Sequence, residues 1–201
     1  MGLRFDIHLH TRRHSSCSLI DEKQLIPQAI AKGLDGLVIT EHHYQWPVEE
    51  LHALVEESGC PGFVLLAGFE YTSARGDILV YGLDAQEVND FEPFQAPKAV
   101  VDEVHRRGGV CVAAHPTRAG LGFDLTIRDL ALDGIEVASM NLKSHEQRLA
   151  QRLAANLGLR SVTASDAHEL LDVGAYSIEV DGVIRTVSDL RDCLKHGKFR
   201  I

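Results

Sequence analysis

The sequence predicts an α/β fold in which parallel strands alternate with helices. Short apolar runs at residues 3–7, 37–40, 63–69, 110–114, 134–138 and 161–164 read as strands, with further strands at 78–83 and 175–180. Segments of helical period lie between or after them at 22–32, 48–57, 98–107, 145–157 and 187–196, and most end at a glycine. Strand–helix–strand units require right-handed crossovers, so the strands form either a closed barrel or an open doubly wound sheet.

The composition predicts one globular domain over residues 1–201. The chain has 45% hydrophobic and 24% charged residues, which suits a single sizeable core. It contains no apolar stretch of the ~20 residues that a membrane span needs. The start, MGLRFDIHLH, runs straight into a predicted strand and does not resemble a signal peptide, so we expect a cytoplasmic protein.

The charge and the cysteines exclude several kinds of partner and site. A formal net charge of -9 disfavours general binding to nucleic-acid backbones, which depends on Lys and Arg displacing counterions. The four cysteines are scattered and form no CxxC pair, so we expect reduced thiols that serve as neither disulfides nor zinc ligands. The residue count that stands out is the 11 histidines.

Residue types that bind metals recur at the ends of the predicted strands. Ligands of such folds bind at the carboxyl edge of the strands, where these residues would meet. Strand alternation places His8 and His10 on the same face. The residues at five strand ends are His8, His10, Glu41, His42, Glu70, His115, Asp166 and His168. A rim of imidazoles and carboxylates has no packing purpose and is costly without cations, so we predict a metal centre at this edge.

The ligand types indicate which metals and which chemistry to expect. Imidazole and carboxylate without thiolate suit Zn, Mn or Fe better than Ca, and we expect two or three divalent ions. Clustered divalent ions lower the pKa of a bridging water and so generate hydroxide near neutral pH. Arg118, three residues after His115, offers a planar cation that matches phosphate oxygens. Together these features predict hydrolysis of a phosphomonoester or of a nucleotide or other phosphodiester.

The order and spacing of these motifs resemble the PHP (polymerase and histidinol phosphatase) domain family. The motifs are His8-Leu9-His10, Thr40-Glu41-His42, Gly68-Phe69-Glu70, His115-Pro116 and Ser165-Asp166-Ala167-His168. The resemblance runs from about residue 3 to the C-terminus. The stretch Asp133-Gly134-Ile135-Glu136-Val137 is also typical of the small stand-alone phosphoesterases of that family.

The resemblance implies a distorted seven-stranded (βα)7 barrel with a trinuclear metal centre. His8, His10, Glu70 and Asp166 would then hold one ion, and Glu70 would bridge to a second ion bound by His115. His42 and His168 would hold a third ion. Arg118 would bind the substrate phosphate, and we expect it to act in catalysis with Asp166 and His168.

The sequence departs from the family pattern in three places. The second motif usually reads Thr-Asp-His, whereas Glu41 stands here in place of the aspartate. A family member often has a histidine ligand where this chain has Asp77. The third metal usually takes a ligand soon after His-x-His, and His14 is the candidate. We therefore include Glu41, Asp77 and His14 among the predicted ligands.

Several readings remain open at this point. One alternative is a barrel amidohydrolase, although no lysine lies at a strand end to form a carbamate bridge. Another is a non-catalytic metal-binding module that keeps the site for stability. His43 is either a ligand or a partner of His42, and Tyr44 with Trp46 either offer a stacking face or pack over the barrel mouth. We expect solvated or helix-terminal roles for the remaining histidines, which are His52, His105, His145 and His196.

Overall fold

A curled sheet of nine strands forms the centre of the protein, and helices pack around it. The structure is a computed structural model and describes residues 2–201. In chain order the strands are β1 (Leu3–Asp6), β2 (Gly36–His42), β3 (Val64–Ser73), β4 (Gly76–Tyr81), β5 (Val110–Ala113), β6 (Gly134–Ala138), β7 (Arg160–Thr163), β8 (Ile178–Val180) and β9 (Phe199–Arg200). Their order in the sheet is β7-β6-β5-β4-β3-β2-β1-β8-β9.

Six α-helices connect or flank these strands within the described residues. They are α1 (Leu25–Ala31), α2 (Val48–Glu57), α3 (Ala85–Val88), α4 (Pro97–Arg106), α5 (Ser144–Leu157) and α6 (Val187–His196). The helical periods in the sequence predicted all of them except α3, which is a single turn. Helices α5 and α6 end at Gly158 and Gly197, both in the left-handed conformation that glycine adopts without cost.

The sheet curls until the segment after β7 meets the continuation of β1. The backbone N–H of Asp166 donates to the carbonyl of His8 at 2.7 Å, and that of His10 donates to the carbonyl of Ala167 at 3.1 Å. An isolated parallel bridge pairs Leu9 with Ala167. The two ends of the curl therefore bring histidines and a carboxylate from distant parts of the chain to one place.

The strand count and directions differ from the seven parallel units that we expected. Strands β1, β2 and β3 run parallel, as do β5, β6 and β7, but β4 is antiparallel to both of its neighbours. Strands β8 and β9 also pair antiparallel. The turn between Ser73 and Gly76 is too short for a crossover helix, and Gly76 takes a φ of 97° there, so β4 folds back on β3 as a hairpin.

The core is layered on both sides of the curled sheet because successive strand residues face opposite sides. On β2, Val38 packs inside with Phe5 and Ile7, whereas Leu37 and Ile39 pack outside under α1 and α2. Tyr81 crosses the interior, and its hydroxyl donates to the carbonyl of Ile7 at 2.8 Å. No helix within residues 2–201 is both long enough and apolar enough to cross a membrane.

Candidate metal centre

The predicted ligands come together where the curled sheet brings its strand ends to one rim. His8 and His10 follow β1 and are fully buried, and Glu70 lies within β3. His115 follows β5, and Asp166 follows β7. His42 closes β2, and His168 comes two residues after Asp166; both are part-buried.

Glu70 lies at the middle of this cluster and faces different histidines with its two oxygens. Its Oε2 is 3.2 Å from Nε2 of His10, 3.6 Å from Nε2 of His8 and 3.2 Å from Nδ1 of His42. Its Oε1 is 3.0 Å from Nε2 of His115. A carboxylate in this position can bridge two cations.

Asp166 approaches the same histidines from the other end of the sheet. Its Oδ1 is 3.3 Å from Nε2 of His8 and 3.5 Å from Nε2 of His10, and its Oδ2 is 3.8 Å from Nε2 of His115. The two imidazole nitrogens of His8 and His10 are themselves only 3.2 Å apart. The donor atoms of four side chains thus crowd one small volume.

Four overlapping groups of side chains have potential ligand atoms within 4.8 Å of one another. These groups are His8, His10 and Glu70; His8, His115 and Asp166; Glu70, Asp77 and His115; and His10, His42 and His168. Each group shares a residue with at least one other, which is the arrangement expected of a polynuclear centre. Asp77, one of the residues where the sequence departs from the family pattern, lies beside Glu70 and His115.

Two of the predicted ligands lie outside these groups. The buried carboxylate of Glu41 accepts hydrogen bonds from the backbone N–H and the hydroxyl of Thr11, from the hydroxyl of Ser15 at 2.5 Å and from Nε1 of Trp46 at 3.0 Å. Its oxygens are already occupied by the donors that hold the loop after β1. The ring of His14 instead stacks on Tyr44 with centroids 3.8 Å apart. Both residues support the rim without joining the cluster.

His43 and the nearby aromatic residues also pack beside the cluster. The ring of His43 lies edge-on to Tyr71, and its Nε2 accepts from the backbone N–H of Thr72 at 3.4 Å. His43 belongs to none of the four groups of potential ligands. Trp46 is 1% exposed, so its ring offers no free stacking face.

The sequence did not assign a role to Glu136 or Asn141, which contact the cluster directly. Glu136 Oε1 lies 2.9 Å from Nδ1 of His8, and Oε2 accepts from the backbone N–H of His115 at 2.8 Å. Asn141 donates from Nδ2 to Oδ2 of Asp166 at 2.8 Å. Glu136 is fully buried in β6, and a buried charged residue inside an apolar strand was the signal that could have identified it.

The backbone at two cluster residues adopts an uncommon conformation. His115 has a φ of 26° and Asp166 a φ of 52°, both in the region that favours glycine. Non-glycine residues remain there only when their surroundings hold them. Here Glu136 holds the N–H of His115, and the carbonyl of His8 holds that of Asp166. Such strain is concentrated at functional sites, which supports a functional role for this rim.

The charges within the cluster shift the pKa values of its members strongly. Burial opposes protonation of His8, but the carboxylates of Asp166, Glu136 and Glu70 outweigh it and raise the pKa of His8 well above its usual range. In the same way burial opposes protonation of His115, but Glu70 raises its pKa to about 9. Burial alone would raise the pKa of Glu70, yet the facing histidines hold it well below its usual value. The carboxylate of Glu70 is therefore ionised and attracts positive charge.

The side chains fit a set of divalent cations. Nδ1 of His42, Nδ1 of His115 and Oδ1 of Asp166 are buried with no hydrogen-bond partner among residues 2–201. Buried polar atoms of this kind are satisfied by a water molecule or an ion. The contact of Glu136 with Nδ1 of His8 favours a proton on Nδ1 and would leave Nε2 free to bind a cation, as in histidine ligands whose tautomer a carboxylate fixes. Imidazole and carboxylate donors without thiolate suit Zn, Mn or Fe.

Arg118 follows the cluster on the loop after β5. It is half-buried, and its guanidinium makes no hydrogen bond or ion pair with any residue in the described range 2–201. Its backbone N–H donates to the carbonyl of His115 at 3.0 Å, which ties it to the cluster. A half-buried arginine with no carboxylate partner beside a metal site is a candidate to bind an anion.

Solved structures share this fold at low sequence identity. The protein PsfC from Pseudomonas syringae is 22% identical, with a TM-score of 0.70 over 95% of this chain and 88% of that one. A two-domain protein from Bacteroides vulgatus containing a predicted PHP-like metal-dependent phosphoesterase is 18% identical, with a TM-score of 0.69 over 99% of this chain and 64% of that one. The lesion-specific endonuclease EndoQ from Pyrococcus furiosus is 16% identical, with a TM-score of 0.69 over 98% of this chain and 56% of that one.

The sequence itself matches one family model. A search of curated proteins found no match. Residues 144–199, from α5 to β9, match the model described as PHP-associated. This match agrees with the order of the histidine and carboxylate motifs and with the fold of the solved structures. The chain thus resembles the PHP family in its motifs, and residues 144–199 match a PHP-associated model.

Proposed function

We propose that this protein hydrolyses phosphate esters with the help of two or three divalent ions. The observation that carries the proposal is the convergence of four overlapping groups of histidines and carboxylates beside Arg118, whose guanidinium has no partner among the described residues 2–201. The PHP-like phosphoesterase in the Bacteroides vulgatus protein and the endonuclease activity of the Pyrococcus furiosus protein support phosphate esters as the substrate class.

The residues that would hold the cations follow from the groupings. His8, His10, Glu70 and Asp166 would bind one ion, and Glu70 with His115 and Asp77 would bind a second. A third would be held by His42 and His168, which lie beside His10. When bound, such ions lower the pKa of a water molecule and neutralise the charge that develops on the phosphate oxygens.

Other residues of the chain would orient the substrate and the ligands. Arg118 would bind the phosphate, since its planar guanidinium can donate two parallel hydrogen bonds to phosphate oxygens. Glu136 keeps Nε2 of His8 directed at the cluster, and Asn141 holds Oδ2 of Asp166. The enzyme would thus bind the phosphate with a fixed cation and present it to a preorganised set of ligands.

The substrate that we propose is a small phosphomonoester or a nucleotide. The formal net charge of -9 disfavours tight binding along a long nucleic-acid backbone. The interval between Glu70 and His115 carries strands β4 and β5 and helices α3 and α4, with no domain inserted among them. A single phosphate group at Arg118 therefore suits this site better than an extended polymer.

The test is hydrolysis of p-nitrophenyl phosphate and of its bis-ester by protein reconstituted separately with Zn, Mn and Fe. We expect turnover that requires metal and that is lost with a chelator. A p-nitrophenyl ester of a carboxylic acid and a p-nitroanilide serve as comparison substrates. Turnover of these alone would favour a barrel amidohydrolase or related enzyme. Metal binding without any turnover would favour a non-catalytic module.

A further inference from the structure

Glu146, in the first turn of α5, contacts the segments on both sides of Arg118. The hydroxyl of Thr117 donates to the backbone carbonyl of Glu146 at 2.7 Å. The backbone N–H of Ala119 donates to Oε1 of Glu146 at 2.9 Å. Both neighbours of Arg118 in the sequence are therefore attached to one residue of another element. The side chain of Glu146 is 3% exposed.

The second carboxylate oxygen of Glu146 fixes its own position. Its Oε2 accepts from the backbone N–H of Lys143 at 2.7 Å, immediately before α5 begins. A carboxylate in the first turn of a helix is also favoured by the helix dipole. The backbone bonds from Lys143 and Ala119 hold the pKa of the Glu146 carboxyl below its usual value. Glu146 is thus an ionised residue whose carboxylate is held by two backbone N–H groups.

The rest of the Arg118 loop is equally constrained. The carbonyl of Pro116 accepts from the N–H of Phe123 at 2.9 Å, and the carbonyl of Arg118 accepts from that of Gly122 at 2.8 Å. A Cβ atom added at Gly122 would lie 2.3 Å from the carbonyl oxygen of Pro116, so the close turn requires glycine. Several backbone bonds thus hold this loop, whereas the guanidinium of Arg118 has no partner within residues 2–201.

We propose that Glu146 is a positioning residue that holds the Arg118 loop so that the guanidinium meets the substrate phosphate beside the metal cluster. This inference rests on the proposed function for the role of Arg118. Glu146 itself has no contact with the four groups of potential ligands, since its carboxylate faces the loop and the start of α5. Its effect on catalysis would therefore pass through Arg118 alone.

The test is a double-mutant cycle with Glu146→Ala, Arg118→Ala and the double variant. Misplacing one binding group in this way raises KM by about tenfold or more while kcat changes little. We expect Glu146→Ala to raise KM in the wild-type background and to have no further effect once Arg118 is removed. Additive effects on KM, or an unchanged KM in Glu146→Ala, would overturn the proposal.

A second pair of variants separates positioning from stability of α5. Thr117→Val removes the hydroxyl that bonds to Glu146 but leaves the start of the helix intact. We expect it to raise KM in the same direction as Glu146→Ala without lowering the melting temperature by as much. Glu146→Gln keeps an oxygen acceptor for one of the two N–H groups, so its KM should lie between that of the wild-type protein and that of Glu146→Ala. An apparent kcat that falls in proportion to the loss of folded protein, with KM unchanged, would contradict the proposal.

A measurement without substrate makes the inference independent of the proposed activity. The 15N–1H relaxation of the Arg118 Nε–H group reports the order of its side chain. We expect this order to be lower in Glu146→Ala and in Thr117→Val than in the wild-type protein. Unchanged order in both variants would refute the positioning role even if the protein hydrolyses phosphate esters. A fall in order with no hydrolysis of any ester would instead uphold it and reject the proposed function.

Discussion

Oε1 of Glu70 lies 3.0 Å from Nε2 of His115, while the other oxygen of the same carboxylate faces a separate set of histidines. This arrangement follows from the fold. Glu70 lies on β3 and His115 follows β5, and the antiparallel strand β4 between them sets their separation. The relationship makes Glu70 the one carboxylate that spans two of the proposed ion positions.

Removing Arg118 should weaken phosphate binding and leave the metal content unchanged. The guanidinium contributes a charge-assisted contact, so Arg118→Ala should cost about 1.5–3 kcal/mol of binding free energy. The measurements are KM and the inhibition constant of inorganic phosphate, with metal content by elemental analysis. Arg106→Ala, which removes an exposed arginine bonded to Glu103, is the control. Equal effects of the two variants would contradict the assignment.

Changing Glu136 should weaken metal binding although it is not among the proposed ligands. Glu136→Gln keeps the shape of the side chain but loses the charge that orients Nδ1 of His8. Loss of such a partner typically lowers metal affinity about 10–100-fold. Competition with a coloured chelator measures the affinity, and Glu103→Gln on the surface of α4 serves as control. Wild-type affinity in Glu136→Gln would show that the orientation of His8 does not depend on this contact.

Changing Glu41 should lower stability without changing metal stoichiometry. Its carboxylate accepts hydrogen bonds from Thr11, Ser15 and Trp46, so Glu41→Gln leaves a buried donor without an acceptor. We expect the free energy of unfolding to fall by about 1–3 kcal/mol. Urea unfolding measures this change and elemental analysis the metal content. Loss of one ion per chain at normal stability would make Glu41 a ligand.

The third proposed ion should depend on its own ligands. His42→Ala or His168→Ala should deplete that ion and leave the other two in place, because neither residue joins the groups around Glu70, Asp77 and His115. The anomalous scattering of crystals of the reconstituted variants locates each ion. His52→Ala, a change of an exposed residue in α2, is the control. Loss of all ions in either variant would show that the three positions fill together.

The sequence predicted most of the side chains that meet, because strand ends share one edge of an α/β sheet. His8, His10, Glu70, His115 and Asp166 all lie where that rule puts them. Asp77 lies at the same rim although it is not at the carboxyl end of a strand. It lies near the start of β4, which runs antiparallel to both of its neighbours. Strand β4 therefore begins at the edge of the sheet where β3 ends.

Other features depended on packing that a local pattern does not contain. The direction of β4 is set by the length of one turn, and an apolar run reads the same in either direction. Glu41 occupies a motif position, yet donors from a loop distant in sequence use its oxygens. Glu136 and Glu146 act through backbone N–H groups of residues 21 and 27 positions away. Such contacts become visible only once the chain is folded.

The most direct test of the metal-centred account compares Glu70→Gln with wild-type protein and with His52→Ala. Each protein is reconstituted with Mn, and both metal stoichiometry and the rate of hydrolysis of the bis(p-nitrophenyl) ester are measured. Glu70 faces His115 with one oxygen and His10 with the other, so its loss of charge should weaken the binding of two ions together. The rate of hydrolysis should then fall to a small fraction of the wild-type rate. His52→Ala should match the wild-type protein. Wild-type stoichiometry and rate in Glu70→Gln would contradict the account.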